Sequence, residues 1–235
     1  MGPGPDLVIF DCDGVLVDSE VISCSVHAEV LTRNGYPITS EQVFDRFLGR
    51  SARQAVIEVE AELGRRLPDD FDAQLKRQIF STFRESLTPT PHIHEALAAL
   101  AQPVCVASSG SHERMRISLG CTNLYDHFAP NIFSSSEVRN GKPAPDLFLF
   151  AAERMGIAPA RCVVVEDSVS GIAGGIAAGM TVLGYCGGSH CQPGYADVLR
   201  RAGATATFAD MRQLPNLIAK LGLTATARPE SAALS

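Results

Sequence analysis

Leu7-Val-Ile-Phe10 is a short, unbroken apolar run stopped by Asp11, the pattern of a strand buried on both faces of a parallel sheet. From Ser19 to Leu87 the apolar spacing becomes helical instead. Asp18 or Ser19 is placed to cap a helix that carries Val21, Cys24, Ala28 and Leu31 on one stripe and ends near Gly35. Thr39 with Gln42 forms a capping box at the head of a second helix. Ser51 opens a third, through Ala55, Val59 and Leu63, and Asp69 and Asp70 start a fourth carrying Phe71, Leu75, Ile79 and Phe83.

Pro89 and Pro91 punctuate the chain, and a different rhythm follows. Strands are predicted over 104–107, 132–133, 162–165, 181–185 and 204–208, with helices over 95–100, 113–119, 146–155, 168–178 and 214–221. Strands alternating with helices build βαβ units on a parallel sheet. The expected fold class is α/β: a Rossmann-like parallel-sheet core over 1–18 and 88–225, with a small all-helical insertion over 19–87 directly after the first strand. Residues 226–235 are expected to form a disordered tail.

Composition narrows the partners. The 235 residues carry a formal net charge of −6, which argues against a protein that grips nucleic acid through its phosphates. No apolar run approaches the roughly 18 residues of a membrane span, and Met1 to Asp6 lacks the features of a signal peptide. The 7 cysteines include no Cys-x-x-Cys pair, and reduced thiols in a cytoplasmic protein are expected.

Four candidate groups stand at the carboxyl ends of predicted strands, where open α/β sheets bind ligands. In Asp11-Cys12-Asp13-Gly14 the two carboxylates lie two residues apart on extended backbone and face one way, so one can act as nucleophile and the other as acid and base. Gly14 permits the sharp turn that exposes them. The spacing excludes a calcium loop of the EF-hand kind, and a polar turn is the simpler alternative. Glu166-Asp167-Ser168 places adjacent carboxylates that repel unless a cation lies near, and all-oxygen ligation suits Mg2+. A plain helix cap by Asp167 or Ser168 is the alternative. Ser108-Ser109-Gly110-Ser111 offers hydroxyls and N–H groups at a helix start, an anion site, with Ser111 also able to cap the helix. Lys142, one of only three lysines, is pinned between Gly141 and Pro143 just after a strand.

In order, these motifs resemble those of the haloacid dehalogenase superfamily, over essentially Leu7 to Leu221. The helical insertion after the first motif resembles the branch containing β-phosphoglucomutase and many sugar-phosphate phosphatases. The resemblance implies that Asp11 attacks phosphorus to form an aspartyl-phosphate, while Asp13 protonates the leaving oxygen and then activates water. It implies that Mg2+ is held by the Asp11 carboxylate, the backbone carbonyl of Asp13, and Glu166 with Asp167. Ser108, the N–H of Ser109 and Lys142 would hold the phosphate. Candidate substrate contacts are Gly49, Arg50 and Arg53 from the insertion, and Ser111 and His112 from the core.

The expected activity is hydrolysis of a small phosphomonoester by a monomer or weak homodimer, without nucleic acid or membrane. Asp18-Ser-Glu-Val-Ile22 is similar to members that hydrolyse sugar or sugar-acid phosphates such as 6-phosphogluconate. The alternative is a β-phosphoglucomutase-type phosphotransferase. It is weakened by Ser23 and Ala52, which stand where such mutases usually carry a histidine and an arginine. Asp13 speaks against a dehalogenase. His27, His92 and His94 are expected to be structural, and the stretch from Cys186 to Cys191, with His190, is expected to be a turn rather than a soft metal site. The small residues from Gly171 to Gly179 are expected to pack a helix closely on the sheet.

Overall fold

The computed structural model describes residues 4–47 and 52–221, with the backbone alone at 52 and 53. Strands β1 (Leu7–Phe10), β2 (Val104–Ser108), β3 (Ile132–Ser134), β4 (Cys162–Glu166), β5 (Thr181–Tyr185) and β6 (Ala206–Phe208) form one sheet in the order β3-β2-β1-β4-β5-β6. Every neighbouring pair is parallel. The chain runs outward from β1 to β3, then crosses back to place β4 on the other side of β1. That reversal opens a crevice at the carboxyl ends of β1, β2 and β4.

Side chains alternate between two apolar layers. Val8, Phe10, Val106, Val163 and Val165 point to one face, and Leu7, Ile9, Cys105, Cys162 and Val164 to the other, all fully buried. Continuous apolar runs are therefore read correctly as strands covered on both sides.

Between β1 and β2 lie α1 (Glu20–Arg33), α2 (Ser40–Phe47), α3 (Ala52–Leu63) and α4 (Phe71–Ser86), followed by α5 (Ile93–Ala99). The remaining helices are α6 (His112–Cys121), α7 (Tyr125–Phe128), α8 (Asp146–Met155), α9 (Val169–Ala177), α10 (Tyr195–Arg201) and α11 (Leu214–Lys220). Helices α5, α6, α7 and α11 cover one face of the sheet, and α8, α9 and α10 the other. The described residues contain no helix long and apolar enough to cross a membrane.

Helices α1 to α4 form the expected helical insertion. Its two crossings to the sheet are adjacent: Asp18 N–H donates to the Thr88 carbonyl at 3.1 Å and Thr90 N–H to Leu16 at 3.0 Å. The Thr39–Gln42 capping box is present, with Thr39 N–H on Gln42 Oε1 at 2.9 Å and Gln42 N–H on Thr39 Oγ1 at 3.2 Å. On α1, Cys24, Ala28 and Leu31 are buried, but Val21 in the first turn is 47% exposed. Neither Asp18 nor Ser19 caps α1, because both side chains are drawn elsewhere. Ser19 donates to Asp13, and Asp18 accepts from Ser189 N–H and Oγ at 3.1 and 2.7 Å. Helices α7 and α10 are absent from the sequence pattern, α7 being a single turn. The 226–235 tail and Ser51, the expected opening of the third helix, lie outside the described residues.

Glycines let α9 approach the sheet. A side chain at Gly175 would begin 2.7 Å from Val182 Cγ2, with Val164 behind it. Gly175→Val should therefore destabilise the fold by about 1–3 kcal/mol through overpacking, read as a lower midpoint in urea unfolding with an unchanged m-value.

Candidate active site

The crevice holds a cavity of about 1040 Å3 lined among others by Asp11, Asp13, Ser108, Ser109, Lys142, Glu166 and Asp167. Each arrives at a strand end or on the loop beyond it. Asp11 follows β1, Ser108 ends β2, Glu166 ends β4, and Lys142 comes from the loop between β3 and α8. All four strand-end motifs are brought together.

The acidic groups converge closely. Ligand oxygens of Asp11, Glu166 and Asp167 lie within 4.8 Å of one another, and all three residues are buried. Lys142 Nζ donates to Asp11 Oδ1 at 2.5 Å and to Glu166 Oε1 at 2.6 Å, with only 4% of its side chain exposed. The other Glu166 oxygen accepts from Ser168 N–H at 3.0 Å and Ser168 Oγ at 2.9 Å. Burial, reinforced by Glu166 and Asp167, holds the Asp11 carboxyl well above the ordinary carboxylate range despite Lys142. Lys142 is shifted upward: burial opposes its charge, but Asp11 and Glu166 more than offset that. One lysine thus leaves the trio short of positive charge. A set of hard carboxylate oxygens with this deficit fits a small divalent cation.

Two glycines make the gathering possible. Gly14 has φ +78°, and a Cβ there would overlap Asp167 Oδ2; a Cβ at Gly171 would overlap the Glu166 carboxylate. Gly14 combines a left-handed backbone with absence of space, whereas Gly171, inside α9, is needed for space alone.

Asp13 stands apart from the trio. Ser19 Oγ donates to its Oδ1 at 2.6 Å, and Arg114 donates through Nη2 to Oδ1 at 2.8 Å and Nε to Oδ2 at 3.0 Å. Burial raises the Asp13 carboxyl, but Arg114 outweighs it and the net shift is downward. Two like groups, two residues apart, are thus driven in opposite directions by their surroundings. Any cation contact at Asp13 falls to its backbone carbonyl, since the carboxylate is engaged by Arg114 and Ser19.

Ser108 is buried and accepts from Gly110 N–H at 3.0 Å, while Ser109 is exposed on the cavity wall. Ser111 and His112 do not line the cavity. Ser111 caps α6, accepting from Arg114 N–H at 3.2 Å, and His112 pairs through Nε2 with Glu137 at 2.9 Å with 51% of its side chain exposed. Gly49, Arg50 and the Arg53 side chain lie outside the described residues. His27 and His94 are structural as expected, bound to the carbonyls of Ser23 and Thr122, and His92 pairs with Glu95.

The sequence pattern did not single out Arg114, Glu20, His190 or Tyr195 as site residues. His190 lies in the expected turn, yet its Nε2 is 3.0 Å from Asp167 Oδ2 and it is 3% exposed. Its loop follows β5, so the strand-end rule that flagged the other motifs applied here too. Glu20, Tyr195 and His190 line the cavity. Burial, aided by Asp13 and Asp167, raises the Glu20 carboxyl to about 7.

A family model described as haloacid dehalogenase-like hydrolase matches residues 5–179. The 6-phosphogluconate phosphatase of Escherichia coli (strain K12) is 32% identical over 213 residues, covering 90% of this chain and 94% of that protein. A conserved haloacid dehalogenase-like protein of unknown function from Agrobacterium tumefaciens str. C58 superposes with a TM-score of 0.81 at 40% identity, covering 92% of this chain and 98% of the other. A haloacid dehalogenase family hydrolase from Deinococcus radiodurans R1, solved with bound phosphate and sodium, gives 0.77 at 33% identity, covering 95% of this chain and 100% of the other.

Gly171→Ala should keep the fold but displace the Glu166 carboxylate, weakening Mg2+ binding about tenfold or more in titration calorimetry. Glu20 yields a pH prediction. Its folded-state value of about 7 exceeds the ordinary 4.5, so between those values the folded chain holds the extra proton and stability falls as pH rises. In chelator-treated protein, Glu20→Gln should therefore gain thermal stability relative to the unmodified chain as pH goes from 4.5 to 7.

Proposed function

Because the chain belongs to the haloacid dehalogenase-like hydrolases, we propose that it is a Mg2+-dependent phosphatase acting on a small phosphorylated sugar or sugar acid through an aspartyl-phosphate intermediate. It is a phosphoric monoester hydrolase by family. The observation that carries the finer reading is Lys142 Nζ bridging Asp11 and Glu166, with Asp167 completing the acidic trio within 4.8 Å. The similarity to a 6-phosphogluconate phosphatase supports the substrate class.

Mg2+ would be held by the carboxylates of Asp11, Glu166 and Asp167 with the Asp13 carbonyl, and would supply the positive charge that lets a phosphate dianion approach them. The chain's own residues do the rest. An oxygen of the Asp11 carboxylate attacks phosphorus as the bond to the substrate oxygen breaks. Asp13, which Arg114 holds ionised in the free site, takes up a proton as the dianionic substrate enters beside it and gives that proton to the leaving oxygen. It then accepts one from the water that attacks the phosphorus of the aspartyl-phosphate, which releases phosphate and restores Asp11. Lys142, the Ser108 hydroxyl and the Ser109 N–H hold the phosphoryl oxygens. In phosphoryl transfer such positioning and charge neutralisation supply nearly all of the catalysis.

The helices over 19–87 act as a cap on the core formed by 1–18 and 88–225, screening the intermediate from bulk water and contributing substrate contacts, Gly49, Arg50 and Arg53 among them.

Phosphate release from p-nitrophenyl phosphate should require Mg2+. Asp11→Asn should lower it by at least about 10^3-fold without changing the circular dichroism spectrum. A panel of phosphorylated sugars, sugar acids and nucleotides should then place the highest kcat/KM among the first two. Activity retained by Asp11→Asn, or indifferent to chelation, would overturn the mechanism.

A further inference from the structure

Arg114 is a core residue, in the first turn of α6, yet its partners span both parts of the chain. Besides its paired contacts with Asp13, its Nη2 donates to Ser23 Oγ on α1 at 3.1 Å. Its guanidinium carbon lies 4.8 Å from the ring centroid of Phe83 on α4. The arginine side chain is 19% exposed, and Phe83 is fully buried. A planar guanidinium held by a stacked ring and a hydroxyl has little freedom left, so the carboxylate it grips inherits that orientation. Ser19, at the crossing into the insertion, holds the same carboxylate at 2.6 Å. Two of the contacts that hold Arg114 thus come from α1 and α4.

We propose that Arg114, itself held by Ser23 on α1 and Phe83 on α4, is a positioning residue that aims the Asp13 carboxylate for proton transfer to the leaving group. The proposal rests on the proton-transfer role assigned to Asp13 above. It assigns to Arg114 no contact with substrate or metal.

Leaving groups separate this from a merely structural tie. Phenoxide is a poorer leaving group than p-nitrophenoxide and depends more on receiving a proton. If Arg114 acts through Asp13, Arg114→Met should lower kcat/KM for phenyl phosphate about tenfold more than for p-nitrophenyl phosphate. That extra loss should vanish when Arg114→Met is made in an Asp13→Asn background, because the two changes then remove one function. Arg114→Lys should recover part of it. Ser23→Ala, which removes one anchor and leaves Asp13 and Arg114 in place, should show a smaller loss of the same selective kind, and carries the test should Arg114→Met fail to fold. Equal losses on both substrates, with Asp13→Asn still selective, would overturn the proposal alone. If Asp13→Asn itself shows no selectivity, the underlying role of Asp13 fails, and the proposal with it.

Discussion

Like charges forced together out of water are the constraint around which this molecule is arranged. Ionised carboxylates within 4.8 Å of one another at an effective dielectric of about 20 repel by at least roughly 3 kcal/mol per pair. Unrelieved repulsion of that size, repeated over a trio, is comparable to a typical domain's net stability. Lys142 relieves part of it by bridging two members, and the ring of Phe148, 5.0 Å from Nζ, supports the buried ammonium. His190 serves Asp167 in a similar way, and Arg114 serves Asp13. Each carboxylate that the chemistry requires therefore has a cationic or donor partner supplied by a different segment.

The sheet is what makes this convergence inexpensive in conformational terms. Its parallel strands end on one edge, so residues from positions 11, 108 and 166 meet without long irregular connections. The alternation of buried side chains between two apolar layers fixes the register, and a one-residue slip would turn every strand inside out. Rigid strands then present short loops, and the glycines at 14 and 171 remove the bulk that would otherwise keep the carboxylates apart.

What could be read from the sequence follows from range. The runs 7–10, 162–165 and 181–185 are strands because local hydrophobicity demands it, and the Thr39–Gln42 box formed because both partners lie within one turn. The site motifs were legible since each ends a strand or lies on the loop that follows one. Arg114 was not, because its meaning comes from Asp13, 101 residues away, and from Phe83 on another helix. The capping of α1 was misjudged for the same reason: Ser19 and Asp18 have better long-range partners than the helix end. Helix α10, which supplies Tyr195 to the cavity, follows a glycine-rich turn that hides its start. Spacing alone shows which residues could meet at a strand end, and only the assembled sheet shows which side chain holds which.

The paired crossings at Leu16–Asp18 and Thr88–Thr90 give the insertion an architectural independence. Because the outgoing and returning chains are already bonded to each other, the entropy of closing the segment between them depends only weakly on its length. The sheet sees a closed stem, whatever is mounted on it. Lineages could lengthen, shorten or exchange the mounted helices while the phosphate-handling edge beneath stayed unaltered, so long as a new tenant still reached the guanidinium from the neighbouring helix.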